Sequence, residues 1–222
     1  MSALSASRRE QLIEELRTAG ISDERVLAAI GQIPRDRFVS RALSSRAYEN
    51  VALPIGYNQT ISQPAVVAHM AQVARLKPTD HVLEVGTGSG YGAAVLARLA
   101  QDVVTVEVRP PLALAAARRL RRLGYTNILV VVGDGSLGWP SHAPYDSIII
   151  TAATPGLPPV LLDQLSDRGG RLVAPVGSIK EQRLVLAERN GADVESHLLG
   201  GVRFVPLVGI AGFDGADGSR RN

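Results

Sequence analysis

The stretch that most constrains this chain runs from His81 to Gly92, HVLEVGTGSGYG. Three apolar residues, Val82, Leu83 and Val85, lead straight into glycines at 86, 88, 90 and 92. An apolar run of this length, bounded by such a turn, reads as a buried strand followed by the start of a helix. Gly86, Gly88 and Gly90 have no Cβ, so the backbone there can take positive φ and lie directly against a ligand. A ligand site is therefore expected at the C-terminal end of this strand. The glycines alone leave several kinds of nucleotide and nucleoside binder open.

The remainder of the chain supplies a sheet for that strand. A helix over 91–99, a strand over 103–106, a helix over 111–123, strands over 128–132 and 147–150, a short helix over 160–165 and a strand over 171–176 follow in order. Near-continuous apolar strands separated by helices imply a parallel sheet covered on both faces. Beyond Gly177 the runs 184–187, 194–199 and 202–208 leave no room for crossover helices and are expected to pair antiparallel.

Ahead of the sheet, Ser7 and Glu10 have capping-box spacing before Leu12, Ile13 and Leu16. Gly20 ends that helix, and Ser22 or Asp23 caps a second one carrying Val26, Leu27 and Ile30. Pro34 to Val39 reads as a short helical or turn piece with Phe38 and Val39 facing inward. Tyr48 to Pro64 shows neither helical nor strand period and is expected to be a long functional loop. Pro64 suits the first turn of a helix bearing Val66, Val67, Met70 and Val73. The fold class is thus α/β: a doubly wound, mostly parallel, Rossmann-like sheet with N-terminal helices and antiparallel C-terminal strands. One domain is expected, with residues 1–63 as helical cap and substrate loop, 64–210 as core and 211–222 as a frayed tail.

Composition narrows the function. With 222 residues and 45% hydrophobic content the chain can bury a full core. No apolar run approaches the ~20 residues of a spanning helix, and no secretion signal follows Arg8 and Arg9, so a cytoplasmic protein without a membrane partner is expected. There is no cysteine, which excludes thiol chemistry and disulfides, and the four histidines lie far apart, so no metal is expected. Net charge is only +3. The run Arg118, Arg119, Arg121 and Arg122 lacks interleaved aromatics and reads as a solvated helix face rather than a nucleic-acid patch.

A dinucleotide-binding turn wants G-x-G-x-x-G, and Tyr91 stands where its third glycine belongs. Three acidic residues, Glu84, Glu107 and Asp134, fall at or just after the ends of successive predicted strands, on the edge where α/β sheets bind ligands. Together they would repel a pyrophosphate and suit S-adenosylmethionine, with its ribose hydroxyls, sulfonium and ammonium. A nicotinamide-dependent oxidoreductase and a nucleic-acid-binding protein stay as the weaker readings. Methyl transfer needs its nucleophile held in line, and a carboxylate acceptor is already ionised at neutral pH, so no general base need be visible. The hydroxyls of Thr60 and Ser62 are the candidate positioning groups; Ser62 is equally read as an N-cap for the helix after Pro64.

The chain resembles the protein-L-isoaspartate O-methyltransferases over roughly Ser7 to Val208. The residues that carry the likeness are Pro34-Arg35 with Phe38-Val39, ALPIG at 52–56, QTISQP at 59–64, LEVGTGSGY at 83–91, Gly133-Asp134-Gly135, Pro144-Tyr145-Asp146 and RFVPL at 203–207. The resemblance implies a cytosolic, monomeric enzyme that methylates the α-carboxylate of L-isoaspartyl residues in damaged proteins, so that repair proceeds through a succinimide. A relative acting on an aspartate of one dedicated peptide, to form an aspartimide, is the alternative. By resemblance, Ser62 with Thr60 is the catalytic locus. Donor contacts are Gln59, Thr60, Ile61, Ser62, Glu84, Gly86, Gly88, Glu107, Asp134 and Gly135, and the peptide groove takes Ile55, Gly56, Tyr57, Val205, Pro206 and Leu207. The family usually has glycine directly before Q-T-I-S, where this chain has Asn58 after Tyr57; asparagine tolerates the left-handed conformation better than other side chains.

Overall fold

The computed structural model describes residues 3–213. Seven strands form one sheet: β3 (His81–Val85), β4 (Asp102–Glu107), β5 (Ile128–Val132), β6 (Ser147–Ile150), β7 (Arg168–Gly177), β8 (Gln182–Asn190) and β9 (Asp193–Val202). Their order is β5-β4-β3-β6-β7-β8-β9. The first five pair in parallel, while β8 and β9 add on antiparallel. The chain leaves β3 toward β4 on one side and returns to β6 on the other. That switch point opens a crevice at the C-terminal end of β3, where the glycine turn begins.

Strand alternation divides the core in two. Val82, Val103, Ile149 and Val173 face one apolar cluster, together with Leu12 and Leu16 of α1 (Ala3–Thr18), Leu27 and Ile30 of α2 (Glu24–Gln32) and Met70 of α3 (Pro64–Ala74). Leu83, Val104, Ile148 and Leu172 face the other, closed by Tyr145, Leu161, Leu165 and Leu207. The second face is thus covered by one short helix, α6 (Pro159–Leu162), and irregular chain rather than by long helices. The N-terminal helices share a cluster with the sheet instead of standing apart from it.

Several expectations need correcting. Ser7 lies inside α1, so the capping box does not start that helix. Asp23, in contrast, caps α2 through bonds from Arg25 N and Val26 N at 2.8 and 3.3 Å. The run 202–208 is not a strand, because β9 ends at Val202 and Pro206, which has no N–H to give a ladder, makes only an isolated bridge to Ala153. Most of the expected tail, from residue 214 on, lies outside the described residues. Arg118, Arg121 and Arg122 are exposed on α5 (Pro110–Arg122), but Arg119 turns inward and donates to the Ser89 carbonyl at 2.7 Å.

The largest correction concerns the long loop. Its second half is an antiparallel hairpin, β1 (Leu53–Gly56) and β2 (Gln59–Ile61), with Leu53 opposite Ile61. Tyr57 and Asn58 form its two-residue turn with φ of 53° and 57°, the two left-handed residues of a type I′ turn. Asparagine suits the second place, but glycine suits it better. Asn58→Gly is therefore expected to stabilise the chain by about 0.5 kcal/mol in urea denaturation; a loss of stability would mean that the asparagine side chain is needed there.

Candidate active site

The glycine turn has the shape its sequence requires, with φ of 99° at Gly86, 52° at Gly88 and 86° at Gly90. Packing requires glycine as well. A Cβ on Gly86 would collide with the Thr151 hydroxyl, which donates to the carbonyls of Val85 and Gly86 at 3.0 and 2.7 Å. Thr151 follows β6, so the strand across the switch point pins the turn. Ile55 of the hairpin lies over the turn, its Cδ1 placed so that a Cβ added at Gly88 would stand 3.4 Å from it.

The three acidic residues take three different roles. Glu107 ends β4 and is 7% exposed; its Oε2 accepts from Gly88 N at 2.9 Å and its Oε1 from Arg109 N at 3.0 Å. The Gly88 amide is therefore committed to a carboxylate, where a dinucleotide site would leave it for phosphate. Glu84 is 1% exposed, and its Oε2 accepts from the Thr105 hydroxyl at 2.6 Å; Thr105 in turn bonds Thr87 inside the turn at 2.7 Å. Burial, opposed by the Thr105 bond and reinforced by Glu107, pushes the Glu84 carboxyl up to about 8. Asp134 Oδ1 accepts from Ser136 N and Ser136 Oγ at 2.9 and 2.6 Å, and its Oδ2 from Ile210 N at 2.9 Å. Ser136 Oγ also accepts from Ala211 N at 3.0 Å. Glu84 and Glu107 are thus both buried on the cavity wall, while Asp134 is taken up by the 3-10 turn that follows it and by the C-terminal segment.

Glu84 makes folding depend on pH. Between its ordinary value of 4.5 and about 8 the folded chain keeps a proton that the unfolded chain has released, so stability declines as pH rises through that window. The melting temperature of the wild type relative to Glu84→Gln is expected to fall by about 10 °C between pH 5 and pH 8.5. A difference that stays constant would assign the titration elsewhere.

The hairpin forms the opposite wall. Along β2 the side chains alternate, with Ile61 buried at 3% exposure and Thr60 facing out, and Ser62 continues the Thr60 face. Ser62 does not cap α3. The cap position is Gln63, without a side-chain bond, and the orphan amide of Ala65 is satisfied by Asn50 Oδ1 at 3.0 Å. The Ser62 hydroxyl makes no hydrogen bond among the described residues. Gln59 spends its amide N–H groups on the carbonyls of Tyr57 and Asn58, closing the turn.

One cavity lies between hairpin and glycine turn. Gln59, Thr60, Ile61 and Ser62 line it from the hairpin, Glu84, Gly86, Gly88, Glu107 and Gly135 from the sheet edge, and Val205, Pro206 and Leu207 from the C-terminal segment. Ile55, Gly56, Tyr57 and Asp134 do not line it. Gly135 lies so close to Val85 that a Cβ would stand 2.7 Å from its Cγ1, which keeps this wall flat. The sequence reading missed Val108, Arg109, Thr151 and Tyr91 on the cavity and Thr105 beneath it. The only signal for Thr105 was a lone polar residue inside an apolar strand. Among the described residues no cluster of side chains suits a metal ion, and no helix is long and apolar enough to cross a membrane.

A family model described as protein-L-isoaspartate(D-aspartate) O-methyltransferase matches residues 7–212. A protein-L-isoaspartate O-methyltransferase of Herpetosiphon aurantiacus is 50% identical over 217 residues, 97% of this chain and 96% of its own length. One from Methanoculleus marisnigri is 53% identical over 208 residues, covering 93% of this chain and 94% of that one. Among solved structures, a protein-L-isoaspartate O-methyltransferase aligns with a TM-score of 0.84 at 31% identity, over 92% of this chain and 67% of that one. A Plasmodium falciparum chain crystallised with S-adenosyl-L-homocysteine shares the fold at a TM-score of 0.76 and 22% identity, over 90% of this chain and 98% of its own.

Proposed function

The chain belongs to the protein-L-isoaspartate O-methyltransferase family, and from that premise we propose that it methylates the α-carboxylate of L-isoaspartyl residues in damaged proteins. The neighbouring backbone nitrogen then attacks the ester carbonyl, methanol leaves, and the succinimide reopens in part to a normal aspartyl residue. The observation that carries this reading is Ser62, which lines the cavity whose far wall is the glycine turn and Glu107 and whose hydroxyl makes no hydrogen bond among the described residues.

S-adenosylmethionine, when bound, supplies a methyl group made electrophilic by its sulfonium. The residues present fit it: the Glu107 side chain with two oxygens suited to accept from ribose hydroxyls, bare backbone at Gly86 and Gly88, a flat wall at Gly135, and apolar Val106 and Val108 beside them. Gln59 to Ser62 would close the donor cavity from the hairpin side. Glu84 and Asp134 serve this site indirectly, the first by bracing the turn through Thr105 and Thr87, the second by anchoring the segment that carries Val205 to Leu207. Ser62 donates to one oxygen of the acceptor carboxylate and so directs the other toward the methyl group, with Thr60 beside it. The acceptor arrives ionised, so positioning and exclusion of water carry the rate. Ile55, Gly56 and Tyr57 border the peptide from the hairpin side. A cytosolic monomer, free of nucleic acid, belongs to the same proposal.

Incubation with an isoaspartyl peptide and its aspartyl twin tests it. Methyl transfer is expected to the isoaspartyl peptide alone. Transfer confined to the twin would replace repair by modification of a dedicated aspartate.

A further inference from the structure

We propose that Arg35 is a positioning residue for methyl transfer, its buried guanidinium setting where Ser62 stands over the donor cavity. The inference rests on the reading of Ser62 given above. Arg35 sits on the 3-10 turn Arg35–Phe38 and is 1% exposed. Its Nη1 donates to the carbonyls of Ala47 and Glu49, and its Nη2 to those of Val51 and Ser62 at 3.0 and 2.9 Å. All four acceptors belong to the segment that ends at Ser62. No carboxylate among the described residues pairs with Arg35.

Its guanidinium carbon also lies 5.5 Å from the centre of the Tyr91 ring. Tyr91 opens α4 (Tyr91–Leu96) directly after Gly90 and lines the cavity. One side chain thus touches both banks of the site, the backbone of Ser62 on one and the end of the glycine turn on the other. The 47–52 stretch lies outside every helix and strand, so no ladder satisfies it, and Arg35 takes up three of its carbonyls instead. A desolvated cation without a counter-charge is costly to bury, and apolar packing often serves stability better. What a planar guanidinium offers is several bonds in fixed directions, which a lysine ammonium cannot reproduce. Holding the Ser62 carbonyl fixes the rotation of the peptide group that follows Ser62, and with that the place from which its side chain leaves the backbone at the cavity wall.

The test is a double-mutant cycle in the full chain. Arg35→Met and Arg35→Lys are each made alone and with Ser62→Ala, and kcat and KM for an isoaspartyl peptide, calorimetric affinity for S-adenosyl-L-homocysteine and melting temperature are measured. With Ser62 present, kcat is expected to fall about 30-fold for Arg35→Met and about tenfold for Arg35→Lys, while affinity for the homocysteine product changes less than about threefold. With Ser62→Ala, the same Arg35 substitutions are expected to lower kcat by less than about twofold. Equal factors in both backgrounds, or an unchanged kcat with only a lower melting temperature, would overturn the role of Arg35 and leave Ser62 standing. An unchanged kcat in Ser62→Ala alone would overturn the reading of Ser62 itself. Should Arg35→Met not fold, Arg35→Lys carries the same cycle.

Discussion

Glu107→Ala is expected to raise the dissociation constant for S-adenosylmethionine about 100-fold, equivalent to about 2.7 kcal/mol. The two hydrogen bonds proposed from ribose hydroxyls to this side chain would be lost, each contributing about 1.5 kcal/mol. The substitution also releases Gly88 N–H and Arg109 N–H, which Glu107 holds at 2.9 and 3.0 Å. The turn then loses part of its shape, so the melting temperature should drop by a few degrees while the fold persists. Isothermal calorimetry measures the first effect and thermal unfolding the second. An unchanged dissociation constant would remove Glu107 from the donor site.

Ser62→Ala should act on the other half of the reaction. Turnover of an isoaspartyl peptide is expected to fall about 50-fold, with donor affinity changed less than about threefold, because misplacing a reacting group by about 1 Å can reduce rate by up to 100-fold. The hydroxyl has no bond to lose among the described residues, so stability should be unaffected. A fall in donor affinity of the same size as the fall in turnover would make Ser62 part of the donor wall alone.

The parallel sheet was legible because its strands are short, continuous apolar runs, and the limits 128–132 and 147–150 are reproduced residue for residue. The glycine turn was legible for the same local reason: few residues other than glycine adopt its φ values. The hairpin was not. Strands of four and three residues show too little period, Pro54 interrupts the first, and a Tyr57-Asn58 turn lacks the glycine that marks a type I′ hairpin. The acidic residues show a different limit. Glu84 and Glu107 follow similar apolar runs, yet the Thr105 hydroxyl meets one and backbone amides of Gly88 and Arg109 the other. Thr105 and Gly88 are brought there by the pairing of β3 with β4, which no local pattern shows. Arg35 was noticed only as part of a motif, since a charged residue in a short turn carries no sign of burial.

Among the described residues β1 and β2 pair with each other and not with the seven-stranded sheet that carries the glycine turn. The two walls of the cavity are thus held by separate hydrogen-bond ladders. A substitution at the hairpin tip, at Tyr57 or Asn58, is therefore free to reshape the outer rim without shifting the register of any strand beneath the glycine turn.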